Sequence, residues 1–189
     1  MKVIGQAPQA VSAAEFKRAV HMGPDDVEDD LRIGACLSAA QDLVEAATRR
    51  PMTPREVEFH PRAVGGLRWW FPVAPVSAVS AIAWQEVGGA WADLDAALAW
   101  LEAGHDEPQL VLPAGFLDGV ADGAALKVTA TVGASAVPRH LAEAVILIAK
   151  DWYDAGIATE DMVQKRVAFG ARRIIQQQRY RRPCEWAAA

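Results

Sequence analysis

Between Pro138 and Gly156 apolar residues recur at three- and four-residue spacing. Leu141, Ala144, Val145, Ile148 and Trp152 share one helical face. Ile146, Leu147 and Ala149 carry the apolar surface most of the way round, which marks a buried helix. Pro138 suits the first turn and Gly156 the stop. The segment is too short, and too charged at its ends, to span a bilayer. Just upstream the period changes to two. Leu126, Val128, Ala130 and Val132 point one way and Lys127, Thr129 and Thr131 the other, a strand with one face inward. The pattern predicts strands and helices gathered around the 138–156 helix.

The same reading orders the rest of the chain. Val3 to Ala10 is an extended lead. Ser12 and Glu15 have capping-box spacing and open a short helix to about His21. Gly23-Pro24 is a break. Asp25, Asp26, Glu28, Asp29 and Asp30 then load acid onto the first turn of a second helix, where the macrodipole favours it. That helix runs to about Arg50, and Pro51 ends it. From Thr53 to Val132 the signals are strand and turn. They include the strand-like Leu67 to Phe71, a Val76 to Trp84 strand whose spacing suggests a bulge, a Gly88-Gly89 hairpin and a short strand in Gln109 to Leu112. Asp95 to Ala103 fits helix by its alanines and strand by Leu98 and Trp100. A last helical stretch, Ala171 to Tyr180, continues through Arg181, Arg182 and Pro183 and ends at Trp186.

Charge sharpens the division. Residues 1–161 carry 12 basic and 23 acidic residues, a net −11, while residues 162–189 carry 7 and 1, a net +6. An acidic body of residues 1–161 therefore leads into a basic arm of residues 162–189, and such an arm suits an acidic partner surface or nucleic acid. Two cysteines, Cys36 and Cys184, do not make a disulfide scaffold and fit a reducing compartment. No signal peptide or transmembrane segment is expected, so the chain is expected to be made in a cytoplasm.

No catalytic constellation can be assembled. His21, His60, His105 and His140 stand apart, without zinc spacing or a thiol or carboxylate pattern. There is no nucleophile elbow, phosphate loop or dinucleotide fingerprint. Asp25 to Asp30 lacks the spaced ligands and glycine of a calcium loop. Cys36 lies among apolar neighbours that raise a thiol pKa. Asp151 and Asp154 are three apart, the spacing of a solvated face as much as of a carboxylate pair. No enzyme, metal or cofactor is expected. Two other features stand out. In Arg68-Trp69-Trp70-Phe71, a strand turns Trp69 and Phe71 one way and Arg68 and Trp70 the other. Either Trp70 is left at a surface as an interface anchor or both tryptophans are buried. The second feature is the arm itself: Lys165, Arg166, Arg172, Arg173, Arg179, Arg181 and Arg182, with Ile174 and Ile175 as its apolar side. A basic amphipathic helix docks on an acidic groove or tracks phosphates.

The order of these parts resembles a known family. An acid-started helix ends at Ala46-Ala47-Thr48-Arg49-Arg50. A Pro-Val strand (Phe71-Pro72, Pro75 to Ile82), a Gly hairpin and a Leu112 to Gly115 loop follow. After the alternating strand, Val137-Pro138 opens a helix that closes on Asp151-Trp152-Tyr153. Phe169-Gly170 then precedes an arm with Tyr180-Arg181. Over roughly residues 12–182 this is similar to the head–tail connector, or adaptor, proteins of long-tailed phages and phage-derived gene transfer agents. The resemblance implies an α+β fold that is mainly helical. Antiparallel core helices (12–50 and 138–156) would hold an inserted β-rich part (53–132) and end in a C-terminal helical arm. It implies a structural subunit of a twelve-fold ring in the particle neck, binding the portal protein on one side and a tail stopper or head-completion protein on the other. DNA would pass through the ring, and no membrane is involved. Phe169, Arg172, Arg173, Ile174, Arg179, Tyr180, Arg181 and Arg182 would dock the portal, with Arg68, Trp69 and Trp70 at a ring or partner interface. The alternative is a nucleic-acid-binding protein that uses the basic arm.

Overall fold

The computed structural model describes residues 1–64, 66–86, 88–156 and 169–187. In chain order the elements are β1 (Lys2–Val3), α1 (Ala13–Ala19), α2 (Asp30–Thr48), β2 (Arg55–Phe59), β3 (Arg68–Trp70), β4 (Val76–Gln85) and β5 (Trp91–Leu94). They continue with β6 (Trp100–Glu102), β7 (Gln109–Val111), β8 (Ala125–Val132), α3 (Arg139–Ala155), α4 (Phe169–Gln178) and β9 (Trp186–Ala187). The chain divides into a helical unit, residues 9–53 and 135–179, and a β unit, residues 1–8, 54–134 and 180–189. The expected boundary between body and arm, at 161/162, lies outside the described residues.

The helical unit is built on α3. Leu141, Ala144, Val145, Ile148 and Ala149 are buried, the stripe that the spacing predicts, with Trp152 at its half-buried end. Facing them are Phe16 of α1, Ile33, Leu37, Ala40 and Val44 of α2 and Ala171 of α4. The capping box forms as expected. Ser12 Oγ accepts from the Glu15 N–H, and the Glu15 carboxylate accepts from the Ser12 N–H at 2.8 Å. Helix α2 starts later than the acids suggest. Two tight turns come first, in which the Asp26 and Asp30 N–H groups donate to Gly23 O and Val27 O, so only Asp30 of the acidic run sits in the helix. At its far end the chain is pinned through a buried carboxylate. Gln41 accepts from the Ala10 N–H and donates to Glu45, whose Oε1 also accepts from the Met52 N–H at 2.8 Å. These bonds satisfy polar groups that burial would otherwise penalise.

The β unit holds two antiparallel sheets. One has the order β1-β2-β8-β4-β5 and the other β6-β7-β3-β9. Strand β8 alternates as predicted, with Leu126, Val128, Ala130 and Val132 buried and Lys127, Thr129 and Thr131 half-exposed. Its pairing with β4 shifts register twice, between Val76 and Ala78 and between Val79 and Ala81, which accounts for the broken alternation there. Asp95 to Ala103 resolves into a single 3₁₀ turn, Ala96–Leu98, and the edge strand β6. The Asp95 side chain caps that turn by accepting from the Ala97 N–H at 3.0 Å.

The fold class needs correcting. The described residues hold four helices and nine strands and are 34% helical and 24% strand, so the fold is α+β and not mainly helical. Strands of two to five residues are too short to show a clear period, and several are edge strands whose apolar residues stay exposed. Nor does the C-terminal stretch remain helical. Helix α4 stops at Gln178 and the chain runs extended into β9. Pro183 cannot donate to a helix, and the free edge of β3 offers the pairing that a helix would forgo.

Candidate functional site: β3 and the C-terminal stretch

Strand β3 turns its side chains as the period of two requires. Trp69 is 2% exposed and Phe71 is fully buried, whereas Arg68 and Trp70 on the other face are half-buried. Trp69 packs edge-on against Phe71 and Phe59, with ring centroids 4.7 and 5.8 Å apart, a geometry that suits the ring quadrupoles. Arg68 is tied down: its Nη1 pairs with Glu102 at 2.6 Å and donates to Gln109 Oε1 at 3.1 Å.

The C-terminal stretch closes over this strand. Tyr180 is buried and its hydroxyl donates to Phe71 O at 3.0 Å. The Arg182 guanidinium lies 5.4 Å from the centre of the Trp69 ring, and its Nε donates to Trp70 O at 2.7 Å. Burial pushes the Arg182 pKa down, against the opposing field of Glu185, whose carboxylate is 3.6 Å from Nη1. The Trp70 N–H donates to Glu185 O and the Leu67 N–H to Ala187 O, and β9 pairs Trp186 opposite Trp69. Gly66 permits this approach: a Cβ there would stand 3.1 Å from the Trp186 ring and from Ala187 O. The stretch from Tyr180 to Ala187 is therefore an extended segment with two anchors that ends in the edge strand β9.

The other half of the expected arm belongs to the helical unit. In α4, Ala171 is buried and Ile174 and Ile175 are half-buried against the core. Arg50 Nε donates to Gln178 O at 2.7 Å, satisfying a carbonyl at the end of the helix. Phe169, Arg172, Arg173 and Arg179 are exposed, as is Arg181 in the β unit. Lys165 and Arg166 lie outside the described residues. The structure thus brings Arg68, Trp69, Trp70, Tyr180 and Arg182 together, and sets Phe169, Arg172, Arg173 and Ile174 on a separate element. The reading of the sequence missed the role of Trp186, because two strand residues near a chain end show no period. It also missed Tyr153. Arg32 stacks 4.9 Å from the Tyr153 ring and donates to its carbonyl, while the phenol donates to Asp29 at 2.5 Å, a bond that raises the phenol pKa.

Asp154 and Lys17, two side chains suited to chemistry, lie elsewhere and are paired. Asp154 is held by Lys150 on the same helix face. Burial raises the Cys36 thiol pKa, as its neighbours suggest. A cleft of about 360 Å³ in the helical unit is lined by Lys17, Arg18 and Asp30, but the Lys17 amine is spent on Asp30, 2.5 Å away, in an ion pair not aligned as a hydrogen bond. Among the described residues no three His, Cys, Asp or Glu side chains come together, and no helix is long and apolar enough to cross a membrane.

No protein-family model matches the sequence, and no curated protein matches it either. Solved structures do match. A chain in the neck of an empty GTA particle, computed with C6 symmetry, superposes with a TM-score of 0.74 at 24% identity, over 97% of this chain and 96% of that one. A chain in the neck of a native GTA particle, computed with C12 symmetry, gives 0.71 at 23% identity, and one in the virion of a native gene transfer agent (GTA) particle gives 0.73 at 23%, both over the same shares. Across both of its units, this chain has the fold of chains found in the necks of gene transfer agent particles.

Proposed function

We propose that this protein is a structural ring subunit of the neck of a gene-transfer-agent or phage particle, a head–tail adaptor between the portal and a tail stopper, with DNA passing through the ring. The observation that carries the reading is the shared fold over 97% of the chain with neck chains of such particles. The C6 and C12 symmetries of those necks support a homo-oligomeric ring here, with twelve copies the natural number. Closed rings of one chain use the same two surfaces over and over. The paired state of the carboxylates and lysine described above suits a structural role. Of the residues expected to meet the portal, Tyr180 and Arg182 are engaged within the β unit. Arg179 and Arg181 are exposed, and we assign the portal contact to them.

The test is to mix the purified full-length protein with the portal ring of its own particle and image the product by negative-stain electron microscopy. A second ring stacked on the portal is the expected result. The protein staying apart from the portal, and monomeric by light scattering, overturns the reading. Nucleic-acid binding by the same arginines is the competing reading. It requires affinity that falls steeply with salt, with a slope set by the number of phosphates met.

A further inference from the structure

The two most exposed large apolar side chains among the described residues are Leu31 at 92% and Phe169 at 82%. Both belong to the helical unit. Leu31 lies on the side of α2 opposite its buried stripe of Ile33, Leu37, Ala40 and Val44. Phe169 lies on the side of α4 opposite Ala171. Each projects away from the core that the two helices share, so one copy cannot join its own pair.

Their surroundings carry opposite charge. Just ahead of Leu31 in the chain come the exposed Val27 and the exposed acids Asp25, Asp26 and Glu28, while Arg32 is turned onto Tyr153. Arg172 and Arg173 follow Phe169 by three and four residues, so they share its face. No acid occurs from Phe169 to Arg182. An apolar knob in an acidic rim and an apolar knob in a basic rim are complementary, and they lie on different helices of one chain.

We infer that the start of α2 in one copy docks on the outer face of α4 in the next, with Leu31 against Phe169 and the acids around Arg172 and Arg173. The contact is heterologous: each copy gives one surface forward and the other backward, the arrangement that propagates and closes a ring. The apolar pair excludes water, and the charged rims set partner choice and encounter rate. This rests on the ring reading above and assigns α4 to the neighbouring subunit.

Two variants test it: Asp26→Lys with Glu28→Lys, and Arg172→Glu with Arg173→Glu. Each alone opposes like charges at every contact, and assembly on the portal ring should fall at least about tenfold, the loss of one strong anchor. An equimolar mixture restores opposite charges at every contact of an alternating ring, so assembly should return. Recovery also shows that both variants fold. A second measurement places Leu31→Cys in one copy and Phe169→Cys in another, both in a Cys36→Ala, Cys184→Ala background. Oxidation should give inter-subunit disulfides in the mixture, and a ladder of oligomers when both substitutions share one chain. Rings that form equally well with each charge variant overturn the inference and leave the adaptor reading standing. Loss of ring only with the α4 variant, and no recovery on mixing, overturns it too and gives α4 to the portal. If the unaltered protein forms no ring on the portal, the adaptor reading itself fails.

Discussion

Two arginines in one basic stretch meet opposite fates. In the helical unit Arg173 stands exposed on α4. In the β unit Arg182 is packed over Trp69, gives its Nε to a backbone carbonyl and has its pKa pushed down by burial. Charge alone does not separate them. What does is the element that receives the chain: a helix keeps its outer face in water, whereas a strand edge draws the next segment in through its backbone. A run of like charges therefore need not be one functional part.

The largest effect that tests this contrast is on the β unit itself. Trp69→Ala removes the ring that Phe59, Phe71, Trp186 and Arg182 share. It should cost about 3–5 kcal/mol. Leu37→Ala in the helical unit should cost about 2–5 kcal/mol. Native-state hydrogen exchange on both variants should show protection lost first in β3, β7 and β9 for the former and in α2 and α3 for the latter. Identical patterns would mean that the two units do not open separately.

The next effect is the arginine pair. Arg182→Ala loses a cation–π contact and a bond to Trp70 O, and leaves that carbonyl unpaired, a cost of about 1–3 kcal/mol in urea unfolding. Arg173→Ala touches no such feature and should stay within about 0.5 kcal/mol of the parent. Equal effects would erase the distinction between the two halves of the stretch.

Much of this was legible in the residues. The α3 stripe, the Ser12 cap, the β8 alternation and the β4 bulge each have a local cause, and each shows in a window of a dozen residues or fewer. The separation of Trp69 from Trp70 also follows from period two once β3 is accepted as a strand. The end of the chain was different. Whether Tyr180 to Trp186 continues a helix or pairs as a strand depends on the β3 edge, more than a hundred residues away in sequence, and no local spacing records that edge. The spacing therefore predicts one helical stretch from Ala171 to Trp186, whereas the helix ends at Gln178. The surfaces at Leu31 and Phe169 were hidden for the same reason. In sequence Leu31 is one more apolar residue of α2, and only the packing shows that it is left outside.

The smallest effect concerns the capping box, and here the sign of the pH dependence is the test. The Glu15 carboxyl is held below its ordinary pKa, first by the Ser12 N–H and then by the Ser12 hydroxyl. A carboxyl whose pKa is lower folded than unfolded stabilises the fold above the unfolded value, and that contribution is lost as pH falls through the folded one. Ser12→Ala should cost about 1 kcal/mol near neutral pH. Glu15→Gln keeps an acceptor but removes the charge, so it isolates the titrating part. Its deficit against the parent should be present at neutral pH and vanish on acidification toward about pH 3, below the ordinary carboxylate range. The group is well exposed, so the deficit should also shrink with added salt. A deficit that grew toward acid would mean that Glu15 stabilises the helix through its protonated form, which a carboxylate accepting two Ser12 bonds does not allow.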